Sequence, residues 1–225
     1  KAGYKEGQSR SDSTGQWTGS SGSTKKPKTT KPTESKEFKS WFGESKVVDE
    51  DGQPLIVYHG TPQGGFDEFK PATHFTDNPD YAAIYTNPSA SSMGTGKRDD
   101  AKSVYPVYLS IKNPFDPRSS VEHKNLYEEF TRSFGNGTPL SDRGLPDWTD
   151  SYNLVEWIEE KGLDFDGLVL DEGGTPEGGS RGISYVPLSP NQIKSTLNQG
   201  EWNPDDPRIL KSISLTQLKL KAGYR

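Results

Sequence analysis

The sequence predicts one α+β domain over residues 38–210, of mostly antiparallel strands with helices inserted between them. Three observations carry that prediction. Short runs rich in branched and aromatic residues, bounded by Gly, Pro, Asn or Asp, recur between residues 46 and 195 and read as strands. Two longer stretches, 120–134 and 151–161, place apolar residues at helical spacing. The first 37 residues share neither pattern: they are Ser, Thr, Gly, Lys and Pro with Tyr4 and Trp17 as their only aromatics. Such a segment buries too little apolar surface to offset its ordering entropy, so residues 1–37 read as a disordered tail or linker.

The elements follow in order. Phe38, Trp41 and Phe42 suit a short helical turn stopped by Gly43. Lys46-Val47-Val48-Asp49 is a short strand that turns through Asp51-Gly52, where glycine supplies a positive φ. Residues 55–61 form the central strand, and residues 72–76 a short one. Asp77-Asn78-Pro79 caps a helix over 80–85. Residues 89–100 are a surface loop. Residues 104–111 alternate as a long strand, which Pro106 pushes toward a sheet edge or bulge and Asn113-Pro114 ends. The two helices come next, the second stopped by Gly162. A strand covers 165–170, a loop with five glycines and a proline covers 171–182, and a strand covers 183–188. Gln192-Ile193-Lys194-Ser195 closes the sheet, and residues 211–225 form a C-terminal extension.

Composition excludes several classes of function. Cysteine is absent from the 225 residues, which removes disulfides and thiol catalysis. A net charge of −5 gives no global basic field for nucleic acid, and eight basic against four acidic residues in the first 37 make only a weak basic arm. No apolar run reaches the ~18 residues of a membrane span. The three histidines lack metal-ligand spacing, and no Gly-x-Ser-x-Gly elbow occurs. The hydrophobic fraction is 28%; even with 24 glycines added it falls short of the usual ~45–50%, so part of the chain should be unpacked.

The stretch that points to chemistry is Leu55-Ile56-Val57-Tyr58-His59-Gly60-Thr61. Apolar residues run into a histidine, a glycine and a hydroxyl, as a buried strand does when it delivers a polar end to a cleft. His123, at a polar helix start, reads as solvated. Tyr81, Tyr105, Tyr108 and Trp157 read as core.

Five motifs stand in order: Trp41 to Val48, Tyr58-His59-Gly60-Thr61, Phe75-Thr76-Asp77 with Ala82-Ala83-Ile84-Tyr85 behind it, Asn113-Pro114, and Tyr185-Val186 leading to Gln192-Ile193-Lys194-Ser195. Together with the trailing 202–210 they resemble the ADP-ribosyltransferase domains of phage polyvalent and head-morphogenesis proteins, and the catalytic fold of poly(ADP-ribose) polymerases. The resemblance implies a split antiparallel β-sandwich that grips NAD in an open cleft. It implies His59 as the ribose contact, the Gly60 backbone at the nicotinamide amide, Thr61 assisting, and Tyr85 stacked on the nicotinamide ring. Tyr58, Phe75 and Thr76 complete the implied cofactor-binding set.

Two positions depart from the family pattern. His74 stands where the polymerases carry tyrosine, and Ser184 where the family carries the glutamate that stabilises the departing ribose cation. Glu172 and Glu177, on the glycine-rich loop, could swing in as replacements. The resemblance implies either a mono-ADP-ribosyltransferase of phage or mobile-element origin or a catalytically inactive virion or interaction module that keeps the fold, with or without dinucleotide binding. The transferase would use a host protein or nucleic acid as acceptor. Partners among phage capsid or portal components, and a place in the virion or host cytoplasm, are implied equally; a metal or a membrane is not.

Overall fold

The computed structural model describes residues 8–10, 17–19, 31–87, 102–134, 138–173, 181–198 and 202–210. The chain divides into two compact units, residues 1–31 and 32–225. In the first, strands β1 (Gln8–Arg10) and β2 (Trp17–Gly19) pair antiparallel, Ser9 opposite Thr18. The rest of the segment read as a tail, up to residue 30, lies outside the described residues, as do Glu177, the whole of the 89–100 loop and the 211–225 extension.

The second unit opens with a 3-10 turn at Pro32–Glu34 and helix α1 (Lys36–Phe42). Ser35 caps the helix by accepting from the Phe38 N–H, and Gly43, at φ 53°, ends it. Seven strands follow: β3 (Val57–Thr61), β4 (Phe75–Thr76), β5 (Ser103–Leu109), β6 (Pro114–Phe115), β7 (Gly167–Asp171), β8 (Ile183–Pro187) and β9 (Ile193–Ser195). Helix α2 (Pro79–Ile84) follows β4, while α3 (Val121–Phe134) and α4 (Ser151–Lys161) lie between β6 and β7 in sequence. The strands form one curled sheet in the order β6-β7-β8-β4-β3-β5-β9. Every pairing is antiparallel except β6 with β7. The α+β class with inserted helices is thus as the sequence predicts.

The sheet is thinnest between β4 and β3, where one registered pair, Tyr58 opposite Thr76, joins four strands to three. The sheet is split there, and its two sides bury different cores. Along β7, Leu168 and Leu170 pack with Phe130, Leu154, Trp157 and Ile158 of the helices, while Val169 faces a second core with Val57, Phe75, Val107 and Ile193. This period of two explains why the strand reads as an unbroken apolar run: both faces are covered.

Several expectations need correction. Pro106 is not at an edge, because β5 lies between β3 and β9. A residue in an antiparallel ladder turns its N–H and C=O to the same neighbour. Pro106 turns its carbonyl toward Thr196, which donates to it at 3.1 Å, so its missing N–H falls at the end of β9 and costs the β3 pairing nothing. Asn113-Pro114 does not simply end a strand: Pro114 and Phe115 form β6, parallel to β7. Residues 46–49 make only an isolated bridge, Val48 to Pro54. His123 is packed, its ring stacked on Phe115 at 5.8 Å with a 6° interplanar angle.

Candidate active site

The split in the sheet opens into a cavity of about 430 Å³, within the range of small-molecule sites. Its wall includes Tyr58, His59, Gly60 and Thr61 of β3, His74 and Thr76 around β4, Tyr81 and Tyr85 of α2, Ser151 of α4, and Glu172 beyond β7. The sequence-predicted residues His59, Gly60, Thr61, Tyr58, Thr76, Tyr85, His74 and Glu172 are therefore brought together. Two are not at the wall. Phe75 is fully buried in the core, its ring 5.6 Å from that of His59, so it supports the histidine from behind. Ser184 is also fully buried, with its Oγ 3.2 Å from His74 Nδ1.

His59 owes its orientation to three contacts. Phe69 meets its ring edge-on at 5.2 Å, Phe75 lies behind it, and the His74 carbonyl sits 2.9 Å from Nδ1. A carbonyl only accepts, so Nδ1 carries the proton and Nε2 presents a lone pair. Burial lowers the pKa below the ordinary 6.5, against the opposing pull of the carbonyl, which keeps the ring neutral.

Gly60 is a glycine for a reason other than ligand access. A Cβ there would lie 1.7 Å from the Ala82 carbonyl oxygen, so the missing side chain lets α2 sit directly on β3. Asn78 caps α2 by accepting from Asp80 and Tyr81 N–H groups, with Pro79 in the first turn. That placement turns Tyr81 and Tyr85, one helical turn apart, toward the cavity. Their hydroxyls are 2.7 Å apart, and the Tyr81 hydroxyl donates to Glu172 Oε2 at 3.3 Å. Burial, the Tyr85 hydroxyl and the Glu172 carboxylate push the Tyr81 pKa up, so it remains a donor. Tyr81 thus belongs to the site, not only to the core. Its spacing of four from Tyr85 was the available signal.

Glu172 is not on a swinging loop. Leu168, Leu170 and Glu172 occupy one face of the β7 line by alternation, and this row turns from apolar, packed with the helices, to acidic at the cavity. Its neighbours fix it. The Asp171 carboxylate pairs with Arg143 and accepts from the Gly173 N–H at 2.6 Å, and the Glu172 N–H donates to the Gly182 carbonyl at 3.3 Å. Burial raises the Asp171 pKa, but the hydrogen bonds from Arg143, Ser141 and the Gly173 N–H, with the Arg143 charge, together outweigh it and hold the group below the usual carboxylate range. Glu172 is 5% exposed as a residue and lines the cavity.

His74 links this carboxylate to the far wall. Its Nδ1 lies 3.7 Å from Glu172 Oε1 and its Nε2 3.1 Å from Ser151 Oγ. Ser151 and the neighbouring Trp148, which also lines the cavity, went unrecognised in the sequence. A serine at the start of a helix looks like a cap there, and 77 positions separate it from His74.

A curled, split seven-stranded sheet with a cavity at its split, walled by histidine, tyrosines and a carboxylate, has the architecture of an ADP-ribosyltransferase. Residues 49–202 match the family model described as ADP-ribosyltransferase in polyvalent proteins, and the chain belongs to that family. Domains of this class use NAD as substrate. Comparison with curated proteins and with solved structures found no match. Among the described residues, no group of three or more potential ligands is placed to hold a metal ion, and no helix is long and apolar enough to cross a membrane.

Proposed function

We propose that the chain is an NAD-dependent mono-ADP-ribosyltransferase of phage or mobile-element origin. It breaks the glycosidic bond to nicotinamide and passes ADP-ribose to a host protein or nucleic acid. The observation that carries this reading is the carboxylate of Glu172 in the cavity wall, in line with Tyr85, Tyr81 and His74. Tyr85 offers a flat π face to the nicotinamide ring. His59 Nε2 accepts a hydrogen bond from a ribose hydroxyl. The Gly60 backbone and the Thr61 hydroxyl line the same wall. Glu172, held by Tyr81, places negative charge where positive charge develops on the ribose as nicotinamide leaves. A charge fixed in advance in a partly dry cavity costs no reorganisation at that moment.

Low apolar content, the long N-terminal segment and Ser184, which brings no charge, are what favour an inactive module. Glu172 supplies a carboxylate on the same face of the adjacent strand line, two residues beyond Leu170, which pairs with Ser184. The transferase is therefore the reading the site supports best.

Titration calorimetry with NAD, paired with an assay of nicotinamide release, tests it. Glu172→Gln should keep binding and lose about 10²–10³ in release rate. Binding without release from the unaltered chain would favour the inactive module, and no binding would sink both forms of the reading.

A further inference from the structure

We propose that Ser151 is itself an acceptor of ADP-ribose, so that the chain modifies its own active site; this rests on the transferase reading above. The argument begins with the order of groups along the cavity wall. Tyr85 bonds to Tyr81 at 2.7 Å, Tyr81 to Glu172 at 3.3 Å, Glu172 approaches His74 at 3.7 Å, and His74 bonds to Ser151 at 3.1 Å. The leaving-group platform is at one end, the carboxylate is in the middle, and a hydroxyl joined to an imidazole is at the other. Displacement at a sugar carbon needs that order: departure on one side, attack on the other, and negative charge between.

The imidazole is set to take a proton from Ser151. Nδ1 of His74 faces Ser184 Oγ at 3.2 Å and the Glu172 carboxylate, and this acidic neighbour favours the tautomer with its proton on Nδ1. Nε2 then has its lone pair toward Ser151 Oγ. Hydroxyl and imidazole stand in the relation of a nucleophile and its base, with Ser184 Oγ in hydrogen-bond reach of the other ring nitrogen and the Glu172 carboxylate at ion-pair distance from it. Three separate places contribute Ser151, His74 and Glu172: the start of α4, the residue before β4, and the residue after β7.

The step balances within the cavity. The Ser151 Oγ–C1′ bond forms as the bond from C1′ to the nicotinamide nitrogen breaks. The electron pair of that bond leaves on nicotinamide and neutralises its ring, and the serine proton passes to His74 Nε2 and then to water. The product is an O-glycoside on Ser151, and it occupies the cavity, so each molecule that modifies itself in this way is blocked.

The full chain incubated with NAD and mapped by peptide mass spectrometry gives the test. Expected is one ADP-ribose on the peptide carrying Ser151, stable to neutral hydroxylamine, which cleaves esters on Glu or Asp and leaves a serine glycoside intact. His74→Gln should slow its formation by about 10²-fold, the contribution of a positioned base. Without dinucleotide, the His74 Nε2 resonance should move on Ser151→Ala, since the two share a proton. Nicotinamide release with no adduct on Ser151 overturns the inference and leaves the transferase reading standing. An unmoved Nε2 resonance overturns the role given to His74, and absence of release and adduct together removes the reading on which the inference rests.

Discussion

His59 is pinned by two aromatic rings and one carbonyl, and its burial decides how it titrates. The unfolded chain takes up a proton on this ring near the ordinary value of 6.5, whereas the folded chain resists it because the pKa is lowered. The sign follows from linkage: below that pH the unfolded state binds more protons, so stability falls as pH falls through 6.5 and is restored above it. Asp171, also held below its ordinary value, acts only in the lower window beneath 3.8. Urea unfolding midpoints should therefore drop between about pH 7.5 and about pH 5, and His59→Gln should lose that part of the drop. Equal pH dependence in the variant would show that another group is responsible.

The contact between α2 and β3 is the element-scale feature that builds the site. Six residues are too few for a helix stable by itself, so α2 depends on its Asn78 cap and on lying against the strand. The approach is so close that the Ala82 carbonyl takes the space of a Cβ at position 60. Gly60→Ala should push the helix outward, shifting Tyr81 and Tyr85 away from Glu172. Overpacking of this kind costs about 1–3 kcal/mol or more. The expected result is a lowered melting temperature with NAD affinity reduced at least in step; full affinity in a folded Gly60→Ala protein would contradict this account.

At the scale of the whole second unit, its first helix meets the segment around residues 202–210. Phe38, Trp41 and Phe42 of α1 pack with Tyr108 of β5 and with Trp202, whose ring lies 4.7 Å from that of Phe38. Lys194 of β9 is almost fully buried, and its ammonium donates to the Asp206 and Arg208 carbonyls, tying the same C-terminal segment down. Burial lowers the Lys194 pKa. Among the described residues Trp202 Nε1 has no hydrogen-bond partner, so what the residue contributes there is packing. Trp202→Ala should cost about 3–5 kcal/mol in denaturant unfolding, and Trp202→Phe far less. Similar losses for the two would assign the effect to the indole nitrogen instead.

The α+β class, the two long helices, the glycine stops at positions 43 and 162, and the Tyr58-His59-Gly60-Thr61 motif on β3 are legible in the sequence alone. These depend on periodicity and on local backbone preference, which a short window of residues contains. Which carboxylate lines the cavity, that Ser184 lies behind the wall, and that His74 meets Ser151 become visible only in three dimensions. Position along the chain does not encode that choice. Strand register and helix docking set it: the β7 row ends in Glu172 at the cavity wall, and residues far apart in sequence reach bonding distance only after the sheet has curled.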